Sequence, residues 1–280
     1  MKMLKLLALT ALILILLLAG GIICLRRCPF FSPPGKQEGY DVCHWQDSTL
    51  RIAVIGDSWA DFYKSQHSNV PSMVGDALHR QVEMRIAGVS GMTSKEIYLS
   101  MFNVDSVRSV VEWGPDYCLV MAGVNDSERK MGTGYYKESM RLTIGFLLEQ
   151  GITPVIFEIP RFNPWRMYHY RKGKPFLIYL ASMVVTMSPV DCIDDYRLAL
   201  EQLVDEQGWR DSLVFIHCDQ WNPEGYRDVR DLYDDMQLHL NERGYQVLDS
   251  CIAATIIAHL TCSRTTPSAH ARPSCARLGR

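Results

Sequence analysis

The sequence contains no Cys-x-x-Cys pair, no Gly-x-x-x-x-Gly-Lys-Ser/Thr loop and no Gly-x-Gly-x-x-Gly turn. These absences remove the usual sequence signatures of zinc ribbons, phosphate loops and dinucleotide sites. Nine cysteines in 280 residues are too few for a disulfide scaffold and too scattered for a zinc site. Acidic residues are missing from both ends: residues 1–28 and 263–280 each hold four Lys or Arg and no Asp or Glu. The intervening body carries 21 basic against 31 acidic residues, a net charge near −10. Such a body is a poor partner for nucleic acid, whose phosphates require clustered cations. Internal repeats are also lacking. What remains is ordinary for a globular chain with a sizeable core: 48% hydrophobic and 21% charged residues.

Leu6 to Leu25 is free of charge, with Lys2 and Lys5 before it and Arg26 and Arg27 after it. About twenty helical residues just cross a bilayer core. Residues 1–27 therefore read either as an uncleaved signal anchor or as a secretory signal peptide cut near Ala19-Gly20-Gly21. Continuation of the apolar run through Ile22-Ile23-Cys24 favours the anchor. Lys2 and Lys5 favour an N-terminus inside and a body outside, hence extracytoplasmic, whether tethered or secreted. Residues 28–50, with Pro29, Pro33, Pro34, Gly35 and Gly39, read as a linker, and 263–280 as a disordered tail. An oxidising location would allow Cys28 to pair with Cys43. Cys118, within an apolar strand, reads as a buried free thiol.

Residues 51–262 alternate between strand and helix patterns. Strands are expected at 51–56, 82–89, 116–123, 153–160 and 212–218. Helices are expected at 71–81, 93–112, 134–150, 191–207 and 241–260. Apolar strands joined by helices imply a five-stranded parallel sheet covered on both faces, with its site beyond the carboxyl ends of the strands. Residues 161–190 interrupt the alternation with six aromatics, five basic residues and an apolar run, Phe176 to Met187. This insertion reads as a lid, an acyl pocket, an interfacial membrane contact or simply a packed extra helix.

Four strand-end turns carry polar groups suited to one chemistry. Gly56-Asp57-Ser58 presents a hydroxyl at a strand-to-helix turn. Ser90-Gly91 offers a bare backbone N–H, and Gly123-Val124-Asn125-Asp126 a neutral amide. Asp234-Asp235-Met236-Gln237-Leu238-His239 supplies an imidazole before the last helix. Each turn alone is explained equally well as a cap or a tight bend. Their ordered coincidence is not. GDS, SG, GVND and an Asp shortly before HLNERGY resemble the four blocks of the SGNH (GDSL-like) hydrolases, over about Arg51 to Ile257. The resemblance implies a flavodoxin-like three-layer α/β/α fold. It also implies Ser58 as nucleophile, His239 as base, and oxyanion donors from the Ser58 N–H, Gly91 and Asn125.

One spacing departs from the family, whose last block runs Asp-x-x-His. Position 236 is Met. If the segment is helical, Asp235 shares a face with His239 and becomes the orienting acid; a bulged loop would bring in Asp234 instead. The expected function is a serine esterase that releases acyl groups, acetyl among them, from a glycan, lipid or small-molecule ester. It needs no cofactor or metal and meets the membrane through its N-terminal helix. Acyl transfer to a sugar hydroxyl and a non-catalytic, membrane-tethered binding protein are the alternatives.

Overall fold

The computed structural model describes residues 2–222 and 230–263. It opens with helix α1 (Lys2–Arg26), followed by strand β1 (Leu50–Gly56), α2 (Ser58–Ser65), α3 (Val70–Leu78) and β2 (Val82–Gly88). Next come α4 (Ser94–Asn103), α5 (Asp105–Glu112), β3 (Tyr117–Met121), α6 (Val124–Arg129), α7 (Thr133–Glu149) and β4 (Thr153–Phe157). The chain continues through α8 (Pro164–Tyr170), α9 (Lys174–Thr186), α10 (Ile193–Glu206), β5 (Val214–Ile216) and α11 (Glu242–Ser263).

All strand pairs are parallel, in the order β2-β1-β3-β4-β5. Central β1 and β3 are buried at every residue, which is why they read as unbroken apolar runs; edge strand β2 is only partly covered. One helical layer is built from α2 against β1 and β2, and α11 against β5 and α3. The other holds α5 against β1 and β2, α7 against β4, and α4 and α10 against α7. This is the expected three-layer arrangement. Because every strand runs the same way, their carboxyl ends share one edge, where the polar turns emerge.

Local details depart from the sequence reading. The single helix expected over 93–112 breaks at Val104, whose extended backbone separates α4 from α5. A β-branched residue tolerates that conformation well. Helix α4 starts with a capping box, in which Thr93 and Glu96 each satisfy the other's backbone N–H. The short helices α2 and α6 lie directly after β1 and β3, where the sequence suggested only turns. The 28–50 stretch lacks regular structure over most of its length but is docked rather than free. Tyr40 packs on Phe102 and Phe146, and its hydroxyl donates to the Met101 carbonyl. Val42 N–H donates to the Gln150 side chain, and the Trp45 indole donates to the Trp113 carbonyl. Aromatic residues within a Pro/Gly-rich stretch supply the burial that holds it.

The Cys28–Cys43 pairing does not form: Cys28 is a free thiol, and Cys43 lies in a different disulfide. Cys118 is buried and free, and burial pushes its thiol pKa up. The tail beyond residue 263 lies outside the described residues.

Close packing at the sheet edge depends on Gly88. A Cβ there would sit 2.1 Å from the backbone nitrogen of Asp61 in α2, against main chain that cannot rotate away. Gly88→Ala is expected to lower unfolding stability in urea by about 3 kcal/mol or more, the upper range for forced overpacking. Gly134→Ala has open space around its Cβ and replaces a helical glycine. It is expected to be neutral or stabilising by up to about 1 kcal/mol.

Candidate active site

Ser58 is the first residue of α2, placed there by a cap. The Asp57 carboxylate accepts the Trp59 N–H at 3.0 Å, and the Asp57 N–H donates to the Met121 carbonyl at 3.2 Å. β1 therefore turns abruptly into α2 beside the end of β3. From this turn the Ser58 hydroxyl lies 2.8 Å from His239 Nε2. With His239 neutral and its proton on Nδ1, Ser58 donates and Nε2 accepts, the arrangement needed for proton removal from the hydroxyl.

His239 comes from a loop closed by an antiparallel bridge between Tyr233 and Leu240. The loop is not helical, and Gln237 adopts a left-handed backbone with φ of 56°. This conformation corrects the expectation for the acid. Asp235 is exposed, and it is Asp234 whose Oδ2 faces His239 Nδ1, at 3.6 Å. The helical i,i+4 relation that would have brought Asp235 under the ring does not exist here. Asp234 also organises the loop: its Oδ1 accepts N–H groups from Leu238 and His239, and its own N–H donates to the His239 carbonyl. Burial pushes the His239 pKa below 6.5, and the Asp234 charge partly opposes that shift. The imidazole thus stays neutral, and competent as a base, into mildly acidic solution. Its ring packs edge-on against Phe62, with centroids 4.6 Å apart.

The Gly91 and Asn125 turns are tied to the serine turn. Asn125 Nδ2 donates to Asp57 Oδ2 at 3.0 Å, leaving its second N–H for another acceptor. Gly91 sits at φ of 84°, a left-handed conformation suited to glycine, and the neighbouring Ser90 hydroxyl donates to Asp61 of α2. Two buried carboxyls stand behind these turns. Burial pushes Asp57 up to about 7, a change reinforced by Asp126 and opposed by the Trp59 N–H and the Asn125 amide. Burial likewise pushes Asp126 up to about 6, against two hydrogen bonds donated by Ser94. These carboxyls fix donors rather than reach outward. Sequence reading named neither for a role, although both sit inside the motifs it quoted.

Among the described residues, Glu158, Glu201 and His217 form the one acid–imidazole group close enough to share an ion. Arg197 already supplies positive charge there: its Nη2 lies 3.4 Å from Glu158, and its Nε donates to the Ile159 carbonyl. The group works as an ion-pair clamp across the ends of β4 and β5.

A family model described as the GDSL-like lipase/acylhydrolase family matches residues 54–247. The chain belongs to this family. The match spans the serine turn and the histidine loop, and it makes the protein an enzyme of the ester-hydrolase class. The fold is shared with solved structures. A lipase/acylhydrolase from Enterococcus faecalis superposes with a TM-score of 0.52 at 15% identity, over 75% of this chain and 96% of that one. An acetyl xylan esterase, AlAXEase, gives 0.53 at 19% identity, over 74% and 100%. Another acetylxylan esterase, from Geobacillus stearothermophilus, gives 0.52 at 14%, over 78% and 96%. No curated protein sequence matches the chain.

In this family member the two adjacent acids can be separated by experiment. Asp234→Asn keeps an oxygen to cap the loop but removes the charge beside Nδ1. It is expected to lower kcat/KM for p-nitrophenyl acetate by about tenfold or more. Asp235→Asn is expected to stay within about twofold. With His239 as the base, the acid limb of kcat/KM against pH in the wild type should have its midpoint below 6.5. Asp234→Asn should move that midpoint lower still, because the charge that favours imidazolium is gone.

Proposed function

We propose that the protein is an extracytoplasmic serine esterase, tethered by α1, that removes acyl groups from a glycan or lipid through an acyl-Ser58 intermediate. The observation that carries the mechanism is the 2.8 Å contact between the Ser58 hydroxyl and His239 Nε2. His239 takes the Ser58 proton as Oγ attacks the ester carbonyl. Negative charge on the carbonyl oxygen is received by N–H groups of Ser58, Gly91 and Asn125, held by the turns described above. His239, oriented and charge-balanced by Asp234, then protonates the leaving alcohol. In the second half-reaction His239 activates water, which attacks the acyl-enzyme and releases the acid and free Ser58.

Tethering is supported by α1. Lys5–Arg26 is long and apolar enough to cross a membrane, and its apolar stretch is not buried inside the body, which it meets through contacts with α9. α11 passes the same length test, but its Leu248, Ile252 and Ile256 are core residues. An acetyl substrate is supported by the two acetyl xylan esterases among the structural neighbours, which share the fold.

A fluorophosphonate probe is expected to label the folded wild type and not Ser58→Ala. Folded wild type that resists labelling would sink the nucleophile assignment. On p-nitrophenyl esters of increasing chain length, hydrolysis should peak at acetate and fall by about tenfold or more at octanoate. Undiminished turnover of long chains would rule out the acetyl reading while leaving Ser58 as nucleophile.

A further inference from the structure

Helix α9, inside the 161–190 insertion, is amphipathic in the wrong sense for water. Its inward face holds Tyr179, Ser182 and Val185, all buried, with Thr186 half-buried beside them. Its outward face is Leu177 (66% exposed), Ile178 (50%), Val184 (60%) and Met187 (82%), with exposed Ala181 between them. No charged residue occurs from Pro175 to Met187. A helix in water places its polar side chains outward; here the hydroxyls of Ser182 and Thr186 point in and the alkyl groups point out.

Cationic and aromatic groups instead border the start of the helix. Lys172 and Lys174 are exposed at its start, and the preceding α8 adds exposed Trp165, Arg166 and Tyr170. A cavity of about 310 Å³ beside the helix brings Arg129, Arg171 and Lys174 against Phe30, Ile178 and Tyr179. Cations and amphipathic aromatics bordering an apolar face match the boundary between lipid headgroups and acyl chains. At thirteen residues, about 20 Å, α9 is too short to cross a bilayer. It is also bound to α1: the Arg26 guanidinium donates to the Val185 carbonyl at 2.5 Å, and the two helices pack together.

We propose that α9 lies in the interfacial plane of an anionic bilayer, its Leu177–Met187 face in the acyl region and its flanking Lys, Arg and Trp side chains among the headgroups. This second contact rests on the reading of α1 as a membrane anchor and goes beyond it, because it fixes how the body is oriented on the surface.

The test uses the full chain reconstituted into bilayers of phosphatidylcholine and phosphatidylglycerol, with and without bromine on the acyl chains. Leu177→Trp reports on α9 and Leu14→Trp on α1, each read as emission added over wild type. For α9 at a depth of about 5–10 Å, brominated lipid should reduce the added emission roughly twofold. Val184→Trp serves as a second reporter on the same face and should respond alike. Quenching of Leu14→Trp without quenching of either α9 reporter would overturn the proposal and leave the anchor standing. Quenching of none would overturn both. Blue-shifted but unquenched α9 reporters would mean that a second copy covers the face, which also overturns the proposal.

Discussion

The contact between Ser58 and His239 joins residues 181 positions apart, and the rest of the molecule can be understood as what keeps them at 2.8 Å. One partner stands on a fully buried, closely packed part of the fold. β1 is buried throughout, α2 is capped by Asp57, and Gly88 allows α2 to lie directly on β2. The other partner stands on a loop with little regular structure, and there the rigidity is supplied by hydrogen bonds. Asp234 accepts two loop N–H groups and donates its own. One carboxylate therefore serves both as the electrostatic partner of the imidazole and as the frame of the loop that carries it. The opposition of burial and charge at His239 follows from that placement: a ring sheltered enough to be held precisely is also less easily protonated.

Much of this was legible in sequence. β1, β3 and β4 announced themselves as short apolar runs, and a parallel sheet follows from helices placed between them. That topology gathers strand-end turns at one edge, so Ser58, Gly91, Asn125 and His239 could be grouped without coordinates. The acid could not be assigned in the same way. Sequence spacing selects Asp235 only on the assumption of a helical turn, and the left-handed Gln237 with the Tyr233–Leu240 bridge replaces that turn by a hairpin-like loop. Nothing local in Asp-Asp-Met-Gln specifies this. The loop is held from a distance, by Asn163, whose N–H and side-chain amide donate to the Gln237 backbone and side-chain oxygens. Asp57 and Asp126 were hidden for the opposite reason. Adjacent to conspicuous motif residues, they look like turn formers, and only burial reveals them as fixed supports for donors.

The aromatic and basic insertion combines the features that sequence alone separates least well. Its composition fits a lid, an acyl pocket, a membrane contact or a packed extra helix. The structure adds facing: α9 exposes Leu177, Ile178 and Val184 and buries Tyr179, Ser182 and Val185. The insertion also touches both halves of the candidate site. Arg171 pairs with Glu128 of α6, the helix that carries Asn125, and the Arg161 carbonyl accepts a hydrogen bond from the Tyr233 hydroxyl at the root of the histidine loop. The insertion is thus mechanically connected to both the Asn125 helix and the histidine loop.

The Asn163–Gln237 bonds bear on how the enzyme can be re-engineered. Insertions of this kind invite treatment as exchangeable cassettes, to be cut out at the strand end and replaced to change substrate preference. Here the first residues after β4 belong to the catalytic loop's scaffold in all but sequence position. A graft joined at residue 161 would remove the brace that shapes the histidine loop. One joined after Asn163 would leave that brace in place and confine the exchange to the helices beyond it.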